Sequence, residues 1–247
     1  TINFEKSEFI PKQQIVFLGG LYNLRDYTVR ITEENKEKLY SQVTPFLKHK
    51  IMVARKWRSV KGLISSQEKY TNYGRLRLRR VQWGLKEQWD QSAGDAKQKL
   101  LVTDFVREGL TWWTEPVNLS HGAPIRPREP DLMVTTDASE HGWGGHSGSH
   151  MFHGVWTPEE SGLHINMLEM RAVYMTLLRL KPERDSCIMV NTDNTTVMAY
   201  LNHQGGLVSK ALHLETEKVL LLAESNGWTL VAKHIPGHLN VLADFLS

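Results

Sequence analysis

Four acidic residues in four separate segments constrain this chain more than any other feature: Thr-Asp137-Ala-Ser, Asn-Met-Leu-Glu169, Asn-Thr-Asp193-Asn and Ala-Asp244-Phe, with His234 ten positions before the last. Each lies where a strand or helix aims a carboxylate toward one common cleft. Hard divalent cations take oxygen ligands and keep part of their water shell, so such a cluster suits two ions held against a phosphodiester. A lone Asp at a strand end is usually a turn or cap residue. Four in register, accompanied by a histidine, reverse that judgement.

The segment Pro124-Ile-Arg-Pro127-Arg-Glu-Pro130 carries three prolines in seven residues and reads as a linker dividing 1–130 from 131–247. Before it, Gln14-Ile-Val-Phe-Leu18 running into Gly19-Gly20 predicts a strand and tight turn, with Val29 and Ile31 on a returning strand. Thr32 followed by acidic residues marks the start of a helix running toward Phe46, and helical patterns recur over 56–65, 75–90 and 93–113. After it, Leu132 to Thr136 is a strand ending on Asp137. Gly142 to Gly145 and His150 to Trp156 form two more strands around the turn Ser147-Gly148-Ser149. Ile165 to Leu180 is helical, with Leu168, Ala172 and Met175 on one stripe. Cys187 to Thr192 is a buried strand, Asn194 to His203 and Ser209 to Ser225 are helices, Trp228 to Ile235 is the last strand, and a helical turn carries Asp244. The order β, β, β, α, β, α, α, β, α predicts a mixed sheet with helices on its faces.

At 247 residues and 40% hydrophobic content, the chain is long enough for one large domain or two modest ones. No apolar run approaches a membrane span and no signal pattern opens the sequence, so an intracellular location, cytoplasmic or nuclear, is expected rather than secretion or a membrane. The lone Cys187 cannot pair internally and reads as core packing. The net charge of +3 hides an asymmetry: 23 Lys and Arg face 14 Asp and Glu in residues 1–130, against 7 and 13 in residues 131–247. A basic body beside an acidic pocket suits an enzyme that grips a polyanion with one part and cuts it with the other. An ordinary solvated surface is the plainer account of either half alone.

The order of the four carboxylates, the elements that carry them and the step from His234 to Asp244 resemble an RNase H domain over 131–247. Further segments sharpen the likeness: Phe17-Leu18-Gly19-Gly20, the tract from Gly74 through Arg80, Leu110-Thr-Trp-Trp113, Gly142-Trp, His164-Ile-Asn, Asp193-Asn-Thr-Thr, Asn202-His-Gln-Gly-Gly206, His234-Ile-Pro-Gly and Ala243-Asp-Phe-Leu-Ser. Together they resemble the polymerase of DIRS-type tyrosine-recombinase retrotransposons over nearly the whole chain. The resemblance implies an α/β fold in two parts. Residues 1–130 would be the C-terminal part of a reverse transcriptase (end of palm, thumb and connection), mainly helical. Residues 131–247 would be an RNase H-like mixed five-stranded sheet with flanking helices.

The same resemblance implies a metal-dependent endoribonuclease that degrades the RNA strand of RNA/DNA hybrids, with the remainder of a polyprotein as partner. Asp137 would bridge two Mg²⁺ ions, Mn²⁺ being a substitute, with Asp193 and Asp244 on one ion and Glu169 on the other. His234 would assist near the nucleophile or in product release. Because no Asp-Asp pair occurs in the chain, no polymerase activity is expected from it alone. A catalytically silent nucleic-acid-binding remnant is the alternative. A transposase or integrase is disfavoured by Glu169 and by the histidine step.

Candidate substrate contacts are Asn166, which is either a minor-groove contact or a helix N-cap, and Thr195 and Thr196, which are either contacts or turn residues. The stretch from Arg55 to Arg80 holds nine Lys and Arg against one acidic residue, interleaved with Trp57, Tyr70 and Tyr73. Lys56, Arg58, Arg75, Arg77, Arg79 and Arg80 are therefore expected on phosphates, against the alternative of a half-buried element with a solvated face. His141, His146, His150 and His153 on the hairpin lack the cysteines and close pairing of a zinc site and read as solvated.

Overall fold

The computed structural model describes residues 7–90 and 94–247. They divide into two compact units: one runs to Gly74 and resumes over Gln88–Pro127, and the other comprises Arg75–Glu87 and Arg128–Ser247.

The first unit opens with the antiparallel meander β1 (Gln14–Phe17), β2 (Gly20–Asn23) and β3 (Thr28–Ile31). Helix α1 (Glu33–Lys48) starts at the Thr32 cap, whose side chain accepts the Asn35 N–H, with Glu33 and Glu34 in the first turn where the helix dipole favours them. Strand β4 (Ile51–Val53) leads into α2 (Ala54–Gln67), and Phe46 of α1 meets Trp57 of α2 edge to face at 5.5 Å.

Beyond α3 (Gly74–Gln88), the expected helix over 93–113 is corrected: residue 93 lies outside the described residues, Lys99–Leu101 form strand β5, and α4 covers only Asp104–Trp112. Leu100 and Val102 are buried while Lys99 and Leu101 are exposed, the two-residue period of a strand, and β5 pairs antiparallel with β4. Helix α5 (Pro116–Ser120) follows, and β6 (Ala123–Pro124) closes the meander sheet on β3, with Pro124 opposite Thr28. The first proline of the expected linker is thus a sheet residue, and the division between units falls after Pro127.

The second unit holds β7 (Leu132–Ala138), β8 (Gly142–Ser147), β9 (His150–Val155), α6 (Pro158–Ser161), α7 (Ile165–Leu180), β10 (Cys187–Thr192), α8 (Thr195–Asn202), α9 (Lys210–Asn226), β11 (Thr229–His234) and α10 (Val241–Leu246). Its sheet runs β11-β10-β7-β8-β9, parallel across the first three strands and antiparallel through the hairpin. This is the expected α/β class, a mixed five-stranded sheet with flanking helices.

Alternation along β7 and β8 sends Ala138 and Trp143 to one face, where they pack with Trp156, Leu168 and Ala172, and sends Asp137 and Gly144 to the other. Gly144 lies opposite Asp137 in the register, and a Cβ there would come within 2.4 Å of the Ala243 carbonyl oxygen. Only a residue without a side chain lets α10, which carries Asp244, lie against the sheet at that point. Helix α3 contributes Arg75–Glu87 to this unit, where Arg77 pairs with Glu224 and Arg80 with Glu217.

Candidate metal centre

Strands β7 and β10 are parallel neighbours, and two residues beyond their last register pair, Thr135 with Asn191, each reaches its aspartate, Asp137 and Asp193. The first turns of α7 bring Glu169 to the same end of the sheet. One carboxylate oxygen from each of Asp137, Glu169 and Asp193 lies within 4.8 Å of the other two. Residues 32 and 24 positions apart in sequence are thereby placed where like charges repel unless a cation or proton intervenes.

The electrostatics follow from that crowding. Burial pushes the Glu169 carboxyl up to about 9, and the charges of Asp137 and Asp193 push the same way against one Ala138 backbone N–H. Its Oε2 is buried with no hydrogen-bond partner among the described residues. Burial also raises Asp137, and Asp193 and Asp244 add to the shift. Opposing them, Ser247 Oγ donates to Asp137 Oδ2 at 2.8 Å and Asn240 Nδ2 donates to Oδ1 at 3.0 Å. The donor set is all oxygen, partly dehydrated and, at Glu169 Oε2, without a hydrogen-bond donor among the described residues, which fits a hard divalent cation.

Asp244 stands in the first turn of α10, exposed and outside the triad, near enough to act on the charge of Asp137. His234 ends β11 opposite Thr192, the residue before Asp193, and is exposed. A Cβ on Gly237 would lie 3.2 Å from Asp193 Oδ2, so the loop from His234 to Asp244 passes directly beside that carboxylate.

Asn166 sits in the first turn of α7, but its side chain is not the cap: His164 Nδ1 accepts the Asn166 N–H at 3.1 Å instead. Thr195 is the exposed first residue of α8, and the Thr196 N–H is held by the Asn194 side chain. Of the basic stretch, Lys56 and Arg58 are exposed on α2, with Arg58 5.8 Å from the Trp89 ring centroid. Arg77 and Arg80 are placed in their ion pairs with α9, and Arg79 donates to the His203 carbonyl at 3.1 Å. Arg75 is half-buried, and Trp57 and Tyr70 are core residues. His146 is half-buried and burial lowers its basicity, while His141, His150 and His153 are exposed.

Two contacts of Asp137 were not visible in the sequence. Asn240 is buried and reaches back to Asp137 across 103 positions. Ser247 does the same from the end of α10. Their signal was the closing Asn-Val-Leu-Ala-Asp-Phe-Leu-Ser run itself, which sets an amide and a hydroxyl four residues before and three after Asp244, one helical turn to either side.

No protein-family model matches the chain. No curated protein matches it either. Among solved structures it is similar to RNase H1 of the halophilic archaeon Halobacterium salinarum, at 19% identity and a TM-score of 0.39 over 47% of this chain and 92% of that one. It is similar to LC11-RNase H1 in complex with RNA/DNA hybrid, at 17% identity and a TM-score of 0.36 over 47% of this chain and 93% of that one. It is also similar to the foamy viral protease-reverse transcriptase in complex with double-stranded DNA, at 13% identity and a TM-score of 0.33 over 90% of this chain. The chain spans 38% of that viral protein's length. Among the described residues, no helix is long and apolar enough to cross a membrane.

Proposed function

We propose that this chain is a metal-dependent endoribonuclease that cuts the RNA strand of RNA/DNA hybrids. It would act inside the cell as part of a DIRS-type retroelement polyprotein, without polymerase activity of its own. The observation that carries the proposal is the triad: three carboxylates, from β7, α7 and the residue after β10, within 4.8 Å, one of them pushed up to about 9 with a buried oxygen that has no partner among the described residues. Such an arrangement costs stability unless divalent cations occupy it.

Asp137, Glu169, Asp193 and Asp244 are the residues to hold two Mg²⁺ ions, with Mn²⁺ as a substitute. When bound, such ions supply an activated water and charge relief for the leaving oxygen. The chain's own groups do the rest. Asn240 and Ser247 fix the Asp137 carboxylate in one orientation. His234, exposed at the end of β11 opposite Thr192, would assist near the nucleophile or in product release. Asn166 and Thr195 face the substrate's sugar edges. Lys56 and Arg58 supply phosphate contacts from the exposed face of α2, and Arg75 and Arg79 add charge, while Arg77 and Arg80 serve the fold.

The test is cleavage of a labelled RNA/DNA hybrid with Mg²⁺ and with EDTA, beside duplex DNA and duplex RNA, with Asp193→Asn as control. Cutting of the hybrid's RNA strand alone, lost with EDTA and in the variant, is the expected result. Tight hybrid binding without cutting would instead make the chain a binding remnant.

A further inference from the structure

Asn194 follows Asp193 and caps α8. Its Oδ1 accepts two backbone N–H groups, from Thr196 at 3.0 Å and Val197 at 3.1 Å. A backbone N–H can only donate, so the side-chain atom facing the pair must be the oxygen, and the opposite end of the amide must be Nδ2. That Nδ2 donates to Asn166 Oδ1 at 2.8 Å, across 28 positions of sequence. The oxygen of Asn166 is therefore committed inward. Its own Nδ2 has no partner among the described residues, and the side chain is only half-buried. Two backbone donors at the start of α8 thus decide, through one intervening amide, which end of the Asn166 amide is free.

We propose that Asn194 is a positioning residue that locks the Asn166 amide with its N–H bonds outward, so that Asn166 offers donors only. The inference rests on the hybrid-cleaving function proposed above, and it specifies what Asn166 recognises there. The matching group is an acceptor, the 2′-oxygen of the RNA strand, which a deoxyribose lacks. An untethered Asn166 would present either end of its amide and lose part of that selectivity to rotation.

Helix capping and tethering are separable. Asn194→Ser keeps a good N-cap but has no amide to reach Asn166. Steady-state cleavage of the hybrid by wild type, Asn194→Ser, Asn166→Ala and the double variant forms a cycle, with binding to duplex DNA measured beside it. Asn194→Ser is expected to raise KM for the hybrid by about 3- to 10-fold, the worth of one net hydrogen bond, with a much smaller change in kcat. Its preference for hybrid over duplex DNA should fall by the same factor. In the Asn166→Ala background the effect of Asn194→Ser should vanish, which a role confined to capping α8 would not produce. An unchanged KM in Asn194→Ser, or an equal loss with and without Asn166, overturns the inference and leaves the ribonuclease reading intact. Absence of hybrid cleavage by the wild type overturns both.

Discussion

Asn240 donates its side-chain amide to Asp137 Oδ1 at 3.0 Å and to the Thr136 carbonyl at 3.3 Å, tying the loop before α10 to the strand end where the carboxylates meet. Asn240 is 1% exposed, so no water stands ready to replace it. Asn240→Ala is expected to cost about 1–3 kcal/mol, the penalty for leaving buried acceptors unmet, read by urea denaturation. Asn240→Asp should cost more without divalent metal, since it sets a carboxylate against Asp137, and added Mg²⁺ should recover part of the loss.

The Glu169 carboxyl governs how the metal-free protein responds to pH. Its folded pKa of about 9 lies far above the 4.5 of an ordinary glutamate, so the folded state holds a proton that the unfolded chain has already released over that interval. Stability should thus be greatest at the acid end and decline as pH rises from about 4.5 toward 9. With EDTA present, thermal melts should show the wild type losing stability between pH 6 and pH 8. Glu169→Gln should flatten that slope and be the more stable protein at pH 8. A steeper slope in the variant would contradict the assignment.

His213 predicts the opposite trend in acid. It is fully buried, neither ring nitrogen has a hydrogen-bond partner among the described residues, and burial lowers its pKa to about 4. The neutral ring is the form that fits, so its contribution is present above about 6.5 and is lost as pH falls through 4. Replacing it by Phe, which retains a ring against Trp83, should weaken the acid sensitivity seen in denaturation midpoints between pH 6.5 and 4.

The arginines separate into two kinds. Arg80 and Glu217 pair at 2.7 Å with side chains 12% and 6% exposed, so Arg80→Ala strands a buried charge and should cost about 3–5 kcal/mol. Lys56→Ala and Arg58→Ala, on exposed positions, should leave stability within about 0.5 kcal/mol. Each should instead lower the salt dependence of hybrid binding by about one ion. Equal salt slopes for wild type and both variants would remove α2 from the substrate path.

Gly144→Ala tests the seat of α10. The added Cβ would sit 2.4 Å from the Ala243 carbonyl, and backbone cannot step aside as a side chain would. A loss of about 1–3 kcal/mol is expected, with hybrid cleavage falling further than stability because Asp244 moves with its helix. Gly162→Ala, where a Cβ meets nothing within 4 Å, is the matched control.

Much of this was readable in the residues. The apolar stripe Leu168, Ala172, Met175 marked the face of α7 that packs on the sheet, and the helix spans the expected Ile165–Leu180. Local cues also located Thr32, Asn194 and Ser209 at helix starts, where each side chain accepts from the backbone. What escaped was pairing at a distance. Strand β5 looked helical because its partner β4 lies some 48 positions earlier, at Met52 for Leu100. The ion pairs of Arg80 and Arg77 on α3 were hidden because their anions, Glu217 and Glu224, stand 137 and 147 positions later. Local composition counts charges without seeing which are already neutralised by the fold.

That same helix imposes an order in time. During synthesis α3 leaves the ribosome more than a hundred residues before α9, so Arg80, Trp83 and Leu85 emerge with nothing of their own unit to cover them. Late closure of so long a loop is expected to slow completion of the second unit. Until Glu217 and Glu224 arrive, the nascent chain carries an apolar, cationic helix that any nearby polyanion or chaperone can hold.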